Sequence, residues 1–237
     1  MIDLVLDDVC HSWSRHVALD HVSLRIDSGM CGLIGENGAG KSTLLSIIAG
    51  ALAPTHGRVT ISGMDMTARS SRRNALRHVA LMPQSAGTPP NLTTIEVVTY
   101  LTWMRGVPWR RAEDRARDAL AVVDLEKVAT TRCAALSGGM RRRVWLAQAL
   151  AAEADVLLLD EPSTGLDPRQ REHMMTALRA VADSGATILL SSHVLDDVGE
   201  LADHLIVLSH GVVVHDGRVP DPLTPTWFLR CIGQDPT

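Results

Sequence analysis

Short apolar runs separated by turn residues open the chain. Ile2–Val9 and Ala18–Ile26 read as strands, with a break at Ser28-Gly29. Cys31–Ile34 has no polar interruption, the pattern of a buried strand, and leads into a glycine-rich loop. Ser42–Ala49 has helical spacing and stops at Gly50. Pro54-Thr55-His56-Gly57 is a turn, Arg58–Ile61 another strand, and Ser70–Arg73 a polar connection.

The pattern changes after Gln84. Ser85–Asn91 contains Gly87, Pro89 and Pro90 and reads as a loop. Thr93-Thr94-Ile95-Glu96 then opens a helix with Thr at the cap and Glu three residues on, a capping box. Ile95, Val98, Leu101 and Met104 recur at helical spacing, which predicts one apolar face. Pro108 starts a second helix through the charged stretch Arg110–Asp118 to near Leu125, and a third is expected over 138–151. The spacing therefore predicts an all-helical insert over about 87–151. Alternation resumes with strand Val156–Asp160, helix Pro168–Ala182, strand Thr187–Ser191 and helix Val194–Ala202. Strands Leu205–Leu208 and Gly211–His215 follow, with a turn at Asp216-Gly217. Strands alternating with helices imply an α/β fold built on a mostly parallel, covered sheet. One domain is expected over 1–217, with a short tail over 218–237 that holds Pro220, Pro222 and Pro225.

Composition narrows the function classes. The chain has 237 residues, 46% hydrophobic and 21% charged, enough for a sizeable core. With 23 Lys+Arg against 27 Asp+Glu, the net charge of −4 argues against a dedicated nucleic-acid binder. No apolar run reaches the length of a membrane span. The start carries Asp3, Asp7 and Asp8 in place of the basic residues of a signal peptide, so a cytoplasmic chain is expected. Cys10, Cys31, Cys133 and Cys231 are scattered without a CxxC pair and read as reduced structural thiols rather than as a metal site or disulfide framework. Arg141-Arg142-Arg143 is expected to be a solvated helix face, and His204, His210 and His215 have no metal-ligand spacing.

Gly35-Glu36-Asn37-Gly38-Ala39-Gly40-Lys41-Ser42 fits GxxxxGK[ST] between an expected strand and an expected helix. Composition alone gives about 0.002 chance matches in a chain of this length. Glycines let backbone N–H groups converge on one point, and the helix N-terminus adds a dipole that favours phosphate. In that chemistry Lys41 neutralises the β- and γ-phosphates, and the Ser42 hydroxyl coordinates Mg²⁺. Asp160 ends an apolar strand at the edge where open α/β sheets bind ligands, so it is a candidate Mg²⁺ residue. Glu161, next in the chain, is placed to orient or deprotonate a water. Ser137 is a good N-cap, and Gly138 and Gly139 expose the first N–H groups of the helix behind it, a second anion site.

Through Leu136-Ser137-Gly138-Gly139-Met140 the chain resembles the ATP-binding subunit of an ABC transporter. The motif is similar to that family's LSGGQ signature, with Met140 in place of Gln. Gln84 matches the Q-loop, Ser163–Asp167 the D-loop, and His193 the switch histidine near the γ-phosphate. Trp13 occupies the position of the aromatic that stacks on adenine, and Thr43 completes the phosphate segment. The resemblance covers nearly all of residues 3–217. It implies a P-loop NTPase (RecA-like) core, an N-terminal antiparallel β subdomain and a helical insert.

ATP and Mg²⁺ follow as cofactors, with Ser42, Gln84 and Asp160 toward the metal and Lys41, Glu161 and His193 as catalytic residues. The resemblance also implies a head-to-tail homodimer in which Ser137, Gly138 and Gly139 of one subunit close over the nucleotide on Lys41 of the other. A transmembrane permease on another polypeptide is expected to hold the chain at the inner face of the membrane. Loop 85–91 and helix 93–105, with Tyr100 and Trp103, are its expected docking surface. LSGGM and the segment Pro90–Pro108 are closest to exporter-type subunits of the ABC-2 group. The alternatives are an import subunit, a soluble ABC-type ATPase of DNA repair or translation, and a module that senses ATP without hydrolysis. The short helical insert and the single ATPase half speak against the soluble type, and the presence of Glu161 and His193 against the sensor.

Overall fold

The computed structural model describes residues 3–84 and 87–234. Ile2 of the first expected strand, Ser85 and Ala86 of the expected loop, and 235–237 of the expected tail lie outside the described residues. In chain order the elements are β1 (Leu4–Trp13), β2 (His16–Ile26), β3 (Gly29–Ile34), α1 (Lys41–Ile48), β4 (His56–Ile61) and β5 (Met64–Asp65). Next come α2 (Arg69–Ala75), β6 (Val79–Met82), α3 (Thr94–Met104), α4 (Trp109–Val122) and α5 (Gly138–Ala151). The chain continues through β7 (Val156–Asp160), α6 (Pro168–Asp183), β8 (Thr187–Ser191) and α7 (Leu195–Leu201). It closes with β9 (His204–Ser209), β10 (Val212–Arg218) and α8 (Pro225–Cys231).

Two sheets organise these elements. The smaller is antiparallel, in the order β2-β1-β4-β5. The larger runs β10-β9-β3-β8-β7-β6, parallel throughout except for β10 at one edge. β7 and β8 are buried along their whole length, as strands covered on both faces must be. Helix α1 lies between the sheets. Its Leu44, Leu45, Ile47 and Ile48 pack with Leu4 and Leu6 of the small sheet and Leu158, Leu189 and Leu208 of the large one. The other face of the large sheet packs against α3–α7. Among the described residues no helix is long and apolar enough to cross a membrane.

Four local expectations change. Ser70–Arg73 lies inside helix α2, which the hydrophobic pattern missed because Ala75 is its single buried residue. Asp216 and Gly217 are not a turn but continue β10, paired with Ile206 and Leu205. The stripe on α3 is displaced. Thr94, Val97, Val98, Thr99 and Thr102 are its buried residues, while Met104 is 62% exposed. Two of these threonines can be buried because their hydroxyls are satisfied, Thr94 on Thr131 O at 3.1 Å and Thr102 on Val98 O at 2.8 Å. The expected tail carries helix α8, capped by the Thr224 hydroxyl and packed against the core through Trp227, Phe228 and Ile232.

The capping box at the start of α3 is complete. The Thr93 hydroxyl accepts from Glu96 N at 3.4 Å, and a Glu96 carboxylate oxygen accepts from Thr93 N at 2.7 Å.

Candidate functional site

The loop between β3 and α1 is held in place by what surrounds its glycines. A Cβ on Gly35 would lie 2.2 Å from the Leu208 carbonyl oxygen, and one on Gly40 would lie 2.3 Å from that of Ala18. Gly40 also takes φ +105°, a left-handed conformation that costs glycine little. The loop is thus wedged between β9 and β2. Lys41 turns back across it. Its Nζ donates to Gly35 O at 2.7 Å and Glu36 O at 2.9 Å, and the residue is buried. Burial pushes the ammonium pKa down, opposed by the charges of Glu161 and Asp160.

Those two acids end β7 opposite the loop. Asp160 is buried, and its Oδ1 accepts the Ser191 hydroxyl at 2.6 Å. Ser191 Oγ accepts in turn from Glu161 N at 3.0 Å. Glu161 has φ +52°, which turns its side chain off the strand direction. Its Oε2 accepts the Thr164 hydroxyl at 3.1 Å and lies 3.2 Å from His193 Nδ1. The carboxylate is therefore fixed from two sides before any ligand arrives.

One cavity of about 270 Å³ gathers most of the expected residues. It is lined by Trp13, Asn37, Gly38, Ala39, Gly40, Lys41, Ser42, Thr43, Gln84, Asp160 and Glu161. Gly35 and Glu36 sit behind it, their carbonyls on Lys41. His193 reaches it through Glu161. Trp13 is 54% exposed, with Nε1 3.5 Å from Thr43 Oγ1 and the His11 ring edge-on at 4.9 Å. Ser137, Gly138 and Gly139 do not line this cavity. They start α5, where Ser137 Oγ accepts from Met140 N at 3.2 Å.

The structure adds residues that the sequence reading missed. His16 and Ala18 also line the cavity; the signal was their place just beyond Trp13 in the same hairpin. Arg141–Arg143 are not a solvated face. Each spans a gap to backbone carbonyls: Arg141 to Leu136 O at 2.6 Å, Arg142 to Gln84 O at 2.9 Å and Thr164 O at 3.2 Å, and Arg143 to Val123 O at 3.0 Å. Asp197 of α7, only 2% exposed, accepts hydrogen bonds from Ser163 Oγ and, at 3.4 Å, from Ser192 Oγ. Its other oxygen lies 2.5 Å from Arg171 Nη2. It thereby ties the loop after β7 to the loop that carries His193. No sequence signal marks either tie, because the partners are far apart in the chain.

A glycine cradle, a buried cation and two carboxylates at the end of a parallel sheet suit a phosphorylated ligand. The ABC transporter family model matches residues 19–164, a span that holds the phosphate loop, Gln84, the Ser137 turn and both acids. The chain belongs to the ABC transporter family. It is similar to the daunorubicin/doxorubicin resistance ATP-binding protein DrrA of Streptomyces peucetius, 36% identical over 84% of this chain and 60% of that protein. It is also similar to the Nod factor export ATP-binding protein I of Rhizobium etli, 34% identical over 100% of this chain and 75% of that protein. Among solved ABC cassettes, an ATP-binding subunit of an ABC transporter superimposes with a TM-score of 0.83 at 28% identity, over 99% of this chain and 95% of that one. A dimeric cassette in a post-hydrolysis state bound to ADP and Pi superimposes with a TM-score of 0.84 at 26% identity, over 92% and 99%.

Proposed function

We propose that this chain is the ATP-hydrolysing subunit of an exporter. It works as a head-to-tail dimer at the inner face of a membrane, beneath a separate permease subunit. One observation carries the reading: the two anion-binding corners of the chain are apart. Lys41, Asp160 and Glu161 line one cavity, while Ser137 and Gly138 are exposed outside it. A Cβ on Gly138 would meet nothing within 4 Å, so the chain's own fold does not require glycine there. Smallness at that point has a use when a second copy's nucleotide approaches it.

In this arrangement Gly35–Thr43 cradle the triphosphate, and Trp13 stacks on the base. Lys41 spreads the charge of the β- and γ-phosphates. Mg²⁺ suits the buried carboxylate of Asp160, the exposed Ser42 hydroxyl and Gln84, and bound there it neutralises phosphate charge. Glu161, fixed by Thr164 and His193, orients the attacking water and takes its proton. His193 positions the γ-phosphate, and Ser137, Gly138 and Gly139 of the second copy close the site. Phosphoryl transfer asks chiefly for positioning and charge stabilisation, which these residues supply.

The names of the relatives, drug resistance in one and Nod factor export in the other, support export of a small molecule. Docking of the permease on α3 is supported by exposed Tyr100 and Trp103, whose rings lie 5.9 Å apart beside a groove that includes Leu101 and Met104. The catalytic unit spans 1–217, with the helical subdomain at about 87–151.

The test is Glu161→Gln. The variant should bind ATP, form a dimer that light scattering detects with ATP and Mg²⁺, and turn over at least about a hundredfold more slowly. Undiminished hydrolysis would remove Glu161 from its role, and a monomer under saturating ATP would remove the shared site.

A further inference from the structure

The outer face of the small sheet carries a group of side chains that the nucleotide site does not use. Cys10 of β1 and Asp20 and His21 of β2 each offer a donor atom, and the three atoms lie within 4.8 Å of one another. Linear spacing leaves Cys10 without a partner; the fold supplies two. His21 Nδ1 is 2.6 Å from Asp8 Oδ1, and the other Asp8 oxygen is 3.1 Å from His56 Nε2. An ionised Asp8 can only accept, so His21 donates from Nδ1, and in the neutral ring this leaves Nε2 as the ligating atom. Asp8 also raises the His21 pKa, so a metal there displaces the Nε2 proton. That Nε2 faces Asp20, 3.9 Å from Oδ1. The backbone N–H of His21 donates to Cys10 Sγ at 3.3 Å and so fixes the sulfur beside the ring.

The backbone is shaped for this meeting. Successive residues of a regular strand point to opposite faces, which would separate Asp20 from His21. Here the β1–β2 ladder shifts register between Leu6 and Val9 and between Val9 and His11. Asp8 and His21 both take left-handed angles, φ +54° and +50°. The left-handed turn at His21 lets both of these β2 side chains reach Cys10.

We propose that Cys10, Asp20 and His21 form a zinc site, with Asp8 as the outer carboxylate that orients His21. A thiolate, an imidazole and a carboxylate are the donor set Zn²⁺ takes, and sulfur with nitrogen disfavours Mg²⁺ and Ca²⁺. Zinc bonds of about 2.0–2.3 Å put tetrahedral ligands about 3.5 Å apart, so side-chain rotation of about 1 Å closes the site. The fourth position stays open to water. The ion ties β1 to β2 below the hairpin that presents Trp13 and His16 to the nucleotide cavity.

The experiment titrates tag-free, metal-stripped protein with Co²⁺, followed by displacement with Zn²⁺. One equivalent of Co²⁺ should produce a thiolate-to-cobalt charge-transfer absorption that Zn²⁺ abolishes and excess Mg²⁺ leaves unchanged. Cys10→Ser should lose the absorption. Asp8→Asn should weaken binding by about 10–100-fold, as loss of an outer-shell carboxylate does. Asp20→Asn, an exposed change, should weaken it at least as much. Circular dichroism and thermal unfolding of each variant separate lost binding from lost folding. Absence of the absorption in the wild type overturns the proposal. So does its persistence in Cys10→Ser, which would put the ion on another cysteine.

Discussion

Asp197 offers the sharpest test of how the loops around the site are held. The change Asp197→Ala removes a buried carboxylate that accepts from Ser163 and Ser192 and pairs with Arg171 at 2.5 Å. Hydrogen bonds to a charged group contribute about 1.5–3 kcal/mol, and breaking a buried ion pair costs about 3–5 kcal/mol. The upper figure does not apply. The Arg171 side chain is 31% exposed, and Glu200 Oε2 lies 3.8 Å from the same Nη2, so the orphaned guanidinium keeps a second anion. A loss of about 3 kcal/mol is the expected result, equivalent to about 6–12 °C in melting temperature for a chain of this size. Arg171→Ala leaves Asp197 charged and buried on two hydroxyls and should cost a similar amount. The double variant should then cost at least about 1 kcal/mol less than the sum of the two single losses. Urea unfolding of the wild type and the three variants, with unchanged slope, measures this cycle. Additivity within about 0.5 kcal/mol would refute the tie, as would a single-variant loss below that figure.

Lys41→Met should leave the nucleotide-free protein as stable as the wild type or more so, because burial already disfavours the ammonium. The same variant should lose the stabilisation of about 2.7 kcal/mol that ATP at a hundredfold excess over its Kd gives a binding-competent chain, read as a thermal shift. Gly138→Asp places an acid in the first turn of α5, where nothing in the chain opposes it, so stability should stay within about 0.5 kcal/mol. ATP-driven dimerisation should nevertheless fail by charge repulsion, and a dimer undiminished in light scattering would exclude Gly138 from the shared site. Glu96 is held below the ordinary carboxylate range first by the Thr93 backbone N–H and then by its hydroxyl. A depressed acid contributes stability above its unfolded pKa of about 4.3 and loses it as pH falls through the folded value. The urea-midpoint gap between wild type and Glu96→Gln should therefore be open near neutral pH and close as the pH falls below the ordinary carboxylate range.

What the sequence discloses and what it hides differ by the range of the interactions involved. Gly35–Ser42 and Asp160-Glu161 are readable because phosphate chemistry fixes residue types at short spacings, and a strand before each fixes where it emerges. The capping box of α3 is readable for the same reason, since its partners Thr93 and Glu96 are three residues apart. The apolar stripe of α3 misleads because hydrophobic spacing treats threonine as polar. Thr94 and Thr102 satisfy their hydroxyls on carbonyls and enter the core, leaving Met104 outside. The arginines of α5 mislead in the opposite sense: a run of charge looks solvated, yet Arg142 joins Gln84 to Thr164 across the fold. Asp197, Arg142 and the Asp8–His56 contact all bring distant segments together, and no linear spacing encodes them. The consequence is mechanical. Gln84 and Thr164, which hold no charge of their own, are fixed by one guanidinium, and Ser163 and Ser192 by one carboxylate. The loops at Gln84, Ser163–Thr164 and Ser192 are thus each tied by an ionic side chain, so their positions respond to a single charge change behind the site.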